Sequence, residues 1–337
     1  MNYIFLMCSE RSGSNLITKL FDSHPEICGP STSHIADVIV PNLYRYNDLS
    51  IKEGQQLVDD VFELMENKNS LWEKRFSREE LYRVVEREGF SGLFGYIYSE
   101  EARKNHKKSI FIKENRIYEF LPFIMRSMPA CRYVYMFRDP RDMSSSWKHS
   151  FAIRGGVMRA ANVWLKDQIG FLQGRSWLGP EGIPMFRYED LINSPAEILT
   201  KVCERLGYTY DSAMLDFHRK ISTQENASRA ADLKNIGVPL KSDNAGKYRS
   251  HLTVDEIRYV ESLCWDLMEV FGYKPDYAKL DNEEFQELAE VLGPLEPELK
   301  PAYQTVSESE KVRREAHYRR SRLVANRAFT VTNGLIR

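Results

Sequence analysis

The chain opens Asn2-Tyr3-Ile4-Phe5-Leu6-Met7-Cys8 and then breaks into Ser9-Glu10-Arg11-Ser12-Gly13-Ser14-Asn15. The apolar run 3–8, ending at a Gly- and Ser-containing break, reads as a buried strand that stops in a tight polar loop. Leu16, Ile17, Leu20 and Phe21 then recur at helical spacing, so residues 16–22 are predicted helical. His24-Pro25 closes that helix, because the residue before a proline is pushed out of helical angles. Strand, Gly-containing turn and helix start bring free backbone N–H groups and the positive end of a helix dipole to one point, which suits an anion. Gly13 permits close backbone approach, Ser12, Ser14 and Asn15 offer hydrogen bonds, and Arg11 adds a fixed charge. The bland alternative is an ordinary polar loop with a Ser cap. The loop matches neither Gly-x-x-x-x-Gly-Lys-Ser/Thr nor Gly-x-Gly-x-x-Gly, so the anion is expected to bind without a metal and without a nicotinamide cofactor.

Three further strands are predicted at 109–113, 132–137 and 184–188, the second being the strongest strand signal in the chain. Helical spacing marks 118–127, 140–150, 157–173, 195–206 and 253–271. Residues 51–85 carry no strand signal: Leu57, Val61, Phe62 and Met65 recur on one helical face, and Leu81, Val84 and Val85 on another. Ser77 and Glu80 form a capping box for the second of these helices, and 66–70 is the expected loop between them. Strands alternating with helices imply an α/β fold with a doubly wound parallel sheet, in which ligands sit beyond the carboxyl ends of the strands.

The chain has 337 residues, with 47 Lys plus Arg against 48 Asp plus Glu, a net charge of -1. That balance argues against a protein held to nucleic acid or an anionic membrane by bulk charge. A hydrophobic content of 42% suffices for a packed core. Cys8, Cys28, Cys131, Cys203 and Cys264 are odd in number and contain no Cys-x-x-Cys pair, which fits a reducing compartment. The first residues do not read as a signal peptide, no run is long enough to span a membrane, and a cytoplasmic location is expected. After Tyr277 the sequence turns acidic (Asp281, Glu283, Glu284, Glu287, Glu290, Glu296, Glu298) and from Ser307 basic (Lys311, Arg313, Arg314, Arg319, Arg320, Arg322, Arg327). Residues 1–277 are therefore read as one catalytic domain and 278–337 as a charged, partly helical extension. That extension is either a solvated appendage or a homodimerisation or partner-docking arm.

The second chemical element is Phe137-Arg138-Asp139-Pro140, followed by Ser144, Ser145 and Ser146. Arg138 falls where the strongest strand ends, Asp139 suits a helix cap and Pro140 the first helical position. The planar arginine fork matches phosphate oxygens. A capped helix with surface charges is the simpler alternative.

Arg11-Ser12-Gly13-Ser14, together with Arg138 and Ser146 eight residues on, resembles the sulfotransferases that use 3'-phosphoadenosine-5'-phosphosulfate (PAPS). Leu20-Phe21-Asp22-Ser23-His24-Pro25-Glu26, Tyr188-Glu189-Asp190-Leu191 and Gly246-Lys247-Tyr248-Arg249 extend the resemblance to the carbohydrate and tyrosyl-protein members, with Tyr248 where Trp is usual. The ordered match covers roughly 3–273. The resemblance implies a P-loop-like sheet with helical insertions and PAPS as co-substrate. It places Arg11 to Asn15 on the 5'-phosphosulfate, and Arg138 and Ser146 on the 3'-phosphate. Lys113, ending its strand, would face the leaving oxygen. Lys247, Tyr248 and Arg249 would close over the nucleotide, and Tyr188 would contact it from a strand end. The usual Glu after His-Pro is missing, so His34 is the expected base, with Glu114 and Glu26 as substitutes. The acceptor would be a small molecule or a carbohydrate, offering a hydroxyl of a carbohydrate, a lipid or a small alcohol, with its pocket built from the aromatic-rich stretches 41–101 and 151–178. A kinase-like phosphotransferase and a non-catalytic PAPS- or PAP-binding protein (PAP being the desulfated donor) are the alternatives.

Overall fold

The computed structural model describes residues 1–46, 51–151, 153–297 and 300–328. Positions 298–299 and 329–337 of the expected extension, and 47–50 and 152 of the expected acceptor-pocket stretches, lie outside the described residues. The first half of the chain runs β1 (Asn2–Met7), α1 (Ser14–Asp22), β2 (Ile27–Cys28), α2 (Ile35–Ile39), α3 (Ile51–Glu66), α4 (Arg78–Lys104), β3 (Ser109–Ile112), α5 (Leu121–Ser127), β4 (Arg132–Phe137) and α6 (Pro140–Lys148). The second half runs α7 (Val157–Leu178), β5 (Met185–Arg187), α8 (Tyr188–Asn193), α9 (Pro195–Leu206), α10 (Ile221–Arg229), α11 (Tyr248–His251), α12 (Val254–Val270), α13 (Asn282–Leu292) and α14 (Glu308–Ala325). No helix among the described residues is long and apolar enough to cross a membrane.

The strands form one parallel sheet in the order β2-β3-β1-β4-β5, with Ile4 paired to Phe111, Phe5 to Tyr133 and Met136 to Phe186. Alternate residues of a strand face opposite sides. Phe5, Met7, Tyr133, Tyr135 and Phe137 enter one core, shared with helices α2 to α7 and α12. Ile4, Leu6, Val134 and Met136 enter a second core, closed by Ile17, Leu20 and Phe21 of α1 and Leu199, Val202 and Leu206 of α9. The sheet is thus covered on both faces, as a doubly wound parallel sheet must be.

Four strands were expected and five are present among the described residues. β2 is two residues long, below the length at which a periodic signal exists, and it reads as the exit from the His24-Pro25 turn. The capping box at Ser77 and Glu80 is formed, with Ser77 Oγ accepting from the Glu80 amide at 3.1 Å. The helix it starts continues to Lys104 across a kink at Gly89, where φ is 65°. The extension packs back onto the body. Val324 is fully buried, and Arg320 and Arg327 both pair with Asp60 of α3, itself fully buried.

Candidate active site

β1, β3, β4 and β5 are parallel, so the residues after their last positions reach one edge of the sheet. Arg11 to Gly13, Lys113, Arg138 and Tyr188 all stand there. The turn between β1 and α1 is tight, the Ser12 amide donating to the Ser9 carbonyl at 3.3 Å. Arg11 holds φ at 61°, a left-handed conformation that costs a non-glycine residue on the order of 1–3 kcal/mol. Gly13 has φ at 90°, and a Cβ there would lie 2.4 Å from Cδ2 of Tyr188. Only glycine lets the loop rest on that ring. No side chain caps α1 and no acidic residue occupies its first turn, so its positive end is left open.

That end faces a cavity of about 390 Å³, whose wall includes Arg11, Gly13, Ser14, Asn15, Arg138, Ser146, Tyr188 and Lys247. Arg11 Nε donates to Ser146 Oγ at 3.3 Å, joining the two anion elements. Arg138 lies 4.6 Å from the Tyr188 ring centre and donates to the carbonyls of Arg11 and Asn244, each at 2.9 Å. Two of its five N–H groups are thereby used. Its Nε and the Ser12 Oγ are buried without a hydrogen-bond partner. Cations, an open helix N-terminus and an unpartnered guanidinium N–H fit a phosphorylated ligand. Phe217, Ile236 and Leu240 add apolar wall, which suits a nucleobase.

A second cavity of about 210 Å³ shares Arg11, Ser14, Asn15 and Asp232 with the first, and adds Glu10, Ser31, Thr32, His34, Asn69, Ser70, Lys113 and Arg314. Lys113 Nζ donates to Asn15 Oδ1 at 2.9 Å, at the boundary between the two. Burial lowers its pKa, chiefly against the opposing pull of Glu10. His34 adopts φ of 61° and its ring meets that of His317 at 5.6 Å. Burial, with His317 and Lys113, holds its pKa well below the usual histidine range, so the imidazole is neutral at neutral pH.

Several expected residues stand elsewhere. Ser12 is fully buried under the loop and is not on either cavity wall. Tyr248 turns inward between Arg141, 4.3 Å from its ring centre, and Arg249 at 4.6 Å, and its hydroxyl donates to Asp276 at 2.9 Å. Arg249 pairs with Asp276 at 2.6 Å, away from the cavity. Buried Arg141, held by Asp139 and Glu261, offers the tyrosine a desolvated cation, and the ring packs on it rather than on the cavity wall. Of Lys247, Tyr248 and Arg249, only Lys247 lines the cavity. Glu26 is exposed at the start of β2, the opposite edge of the sheet, beside Lys108 at 3.8 Å. Glu114 is buried, and its Oε1 accepts from the Ser33 and His34 amides, Ser33 Oγ and the Tyr98 hydroxyl, so it holds the His34 loop. The aromatic residues of 41–101 pack mainly into the core, and those stretches give the smaller cavity only Asn69, Ser70 and Ile153.

The sequence reading missed Lys241, Asp142, Glu10, Asp232 and Arg314. Asp142 accepts from the amides of Gly246 and Tyr248, at 2.6 and 3.0 Å, and so fixes the turn that carries Lys247. Its signal was present in Arg138-Asp139-Pro140-Arg141-Asp142, one helical turn inside the capped helix.

A doubly wound parallel sheet with such a loop at its carboxyl edge is the P-loop-like class of α/β fold. The chain belongs to the sulfotransferase family, whose model matches residues 3–212. Carbohydrate sulfotransferase 2 from Mus musculus and that from Homo sapiens are each 27% identical to it over 120 residues, 36% of this chain and 22% of theirs. The chain therefore matches less than a quarter of the length of those relatives. The sulfotransferase domain of the Synechococcus PCC 7002 olefin synthase shares the fold, with a TM-score of 0.57 at 18% identity, covering 81% of this chain and 94% of that one.

Proposed function

We propose that this sulfotransferase uses PAPS and transfers its sulfuryl group directly to a hydroxyl of a small, oxygen-rich acceptor. The observation that carries the reading is the pair of cavities meeting at Arg11, Ser14 and Asn15 with Lys113 on their boundary. The larger has the cations and apolar surface for a phosphorylated nucleoside, and the smaller is lined by Ser31, Thr32, Asn69 and Ser70, hydrogen-bonding groups suited to a polyol. Thr32 Oγ1 and Asn69 Oδ1 are buried without partners, which an acceptor's hydroxyls would satisfy.

When bound, PAPS would supply an activated sulfuryl group. Arg11, Ser14, Asn15 and the N-terminus of α1 after Gly13 would hold its 5' end, and Arg138, Ser146 and Lys247 would hold the 3'-phosphate. Lys113, held by Asn15 on the boundary between the cavities, would face the departing bridging oxygen, where its ammonium would favour the transition state over the ground state. His34, neutral at neutral pH, takes the acceptor's proton as the new O–S bond forms and the old one breaks.

Calorimetry with PAP and with ATP–magnesium tests the donor. PAP binding without ATP–magnesium binding is expected, and the reverse would point to a phosphotransferase. Labelled PAPS mixed with a cell extract is expected to yield a labelled small molecule. PAP binding with no transfer to any extract component would favour a binding protein instead.

A further inference from the structure

The family match ends at residue 212, yet the wall of the smaller cavity does not. Arg314, on the first half of α14, lines it together with Ser31, Thr32 and Ser70. His317, one turn later, places its ring edgewise on His34 at 5.6 Å, and its Nδ1 is buried without a hydrogen-bond partner. His34 sits in a left-handed conformation at the start of α2, and the His317 ring packs against its ring from outside that helix.

The helix is fixed at both ends. Near its start, Arg314 Nη2 donates to Asp232 Oδ1 at 3.0 Å and to Glu310 Oε1 at 2.7 Å, while Glu310 Oε2 accepts from the Ala231 amide at 3.0 Å. Asp232 lines both cavities, so this cluster ties α14 to the segment that roofs them. Near its end, Asp60 holds Arg320 at 3.1 Å and Arg327 at 2.5 Å, and accepts from the Tyr46 hydroxyl at 2.8 Å. Arg313, which donates to the Arg229 carbonyl at 2.8 Å, Arg314, Arg320 and Arg327 thus dock the tail, while Arg319 and Arg322 stay exposed.

We propose that α14 is an integral wall of the acceptor site, with Arg314 a specificity-determining residue that contacts acceptor oxygens and His317 a positioning residue that holds the His34 ring. This rests on the sulfuryl-transfer reading above. Arg314 can do so because its guanidinium carries five N–H groups, and its contacts with Glu310 and Asp232 leave donors for the cavity. The pairing with two carboxylates also fixes the fork in place, which a lysine would not reproduce.

The test compares Arg314→Ala, Arg314→Lys, His317→Ala and His317→Phe with the unaltered full chain. Each is assayed for PAP binding by calorimetry, for melting, and for transfer of labelled sulfate to the label-accepting small-molecule fraction of a cell extract, titrated by dilution. Arg314→Ala is expected to raise the half-saturating amount of that fraction about tenfold, the loss of one hydrogen-bonded contact to a charged group, with PAP affinity unchanged. Arg314→Lys should recover only part of this. His317→Ala is expected to lower maximal turnover about tenfold, and His317→Phe, which keeps a ring against His34, to restore most of it. A His317→Phe variant that melts like the unaltered chain yet is as slow as His317→Ala would overturn the positioning role. Normal saturation and turnover in Arg314→Ala and His317→Ala, with PAP still bound, would overturn the inference alone. No PAP binding and no transfer by the unaltered chain would overturn the sulfuryl-transfer reading and this inference with it.

Discussion

Lys113 is the residue on which the chemistry turns. Its strand is buried, so the side chain has one direction to go, past the end of β3 to the boundary between the two cavities. Asn15 takes one of its three N–H donors, leaving two for an incoming oxygen. A cation that acts only as charge develops should affect turnover far more than donor binding. Lys113→Met is therefore expected to lower kcat by about 10²- to 10³-fold, the size of losing one preorganised donor, while PAP affinity moves little. Steady-state kinetics alongside calorimetry would check this, and a variant that keeps a tenth of its turnover would remove Lys113 from the role. The arginines should behave in the opposite way. Arg138→Ala would weaken PAP binding first, since its guanidinium stands on the wall of the larger cavity.

At the scale of elements, α6 and the turn before α11 act as one unit. Asp142, buried in the first turn of α6, takes two backbone N–H groups of the turn and thereby presents Lys247 to the cavity. Asp142→Asn removes the charge that makes these hydrogen bonds strong and leaves a single amide oxygen to accept them. PAP affinity should fall about tenfold in Asp142→Asn and by a similar factor in Lys247→Ala, with the double variant no worse than either. Additive losses would show that Asp142 does not act through Lys247. The same elements show what could be read from the chain. β1, β3 and β4 carry continuous apolar runs because both sheet faces are covered there, and such runs are legible. β2 has two residues and is not. Lys113, Arg138 and Tyr188 were legible as residues of this sheet edge because each directly follows a strand, and Arg11 because it lies in the Gly- and Ser-containing loop after β1. Tyr248 was misplaced because its environment is decided by Arg141 and Asp276, distant in sequence, and no local pattern carries that information. Arg314 and Asp232 were invisible for the same reason: they meet each other only in the folded chain, across a separation of 82 residues.

For the whole molecule, buried carboxylates set how stability varies with pH. Asp22 lies between Lys19 and Lys220, and although burial opposes it, these cations hold its pKa below the usual range. Its contribution is present above the unfolded value and is lost as pH falls through the folded one. Asp167 is the opposite case. It is 3% exposed in α7, and burial raises its pKa to about 6 even though the Tyr118 hydroxyl donates to it at 2.8 Å. Between its unfolded pKa and about 6 the folded chain binds the extra proton, so ionising Asp167 costs stability as pH rises through that window. His34 and His317, both lowered by burial, act in the other direction as pH falls below the usual histidine value, so the total curve does not isolate Asp167. The difference between two chains does. Asp167→Asn keeps an oxygen to accept from Tyr118 but has no charge to bury. At pH 7.5 it should be more stable than the unaltered chain by on the order of 2–3 kcal/mol, the shift of about two units converted at 1.36 kcal/mol per unit. That advantage should shrink as pH falls through 6 and vanish near 4, where both chains are neutral at this position. Denaturant melts at several pH values would show it, and an advantage that stayed constant with pH would mean that the buried carboxylate is not what Asp167 costs the fold.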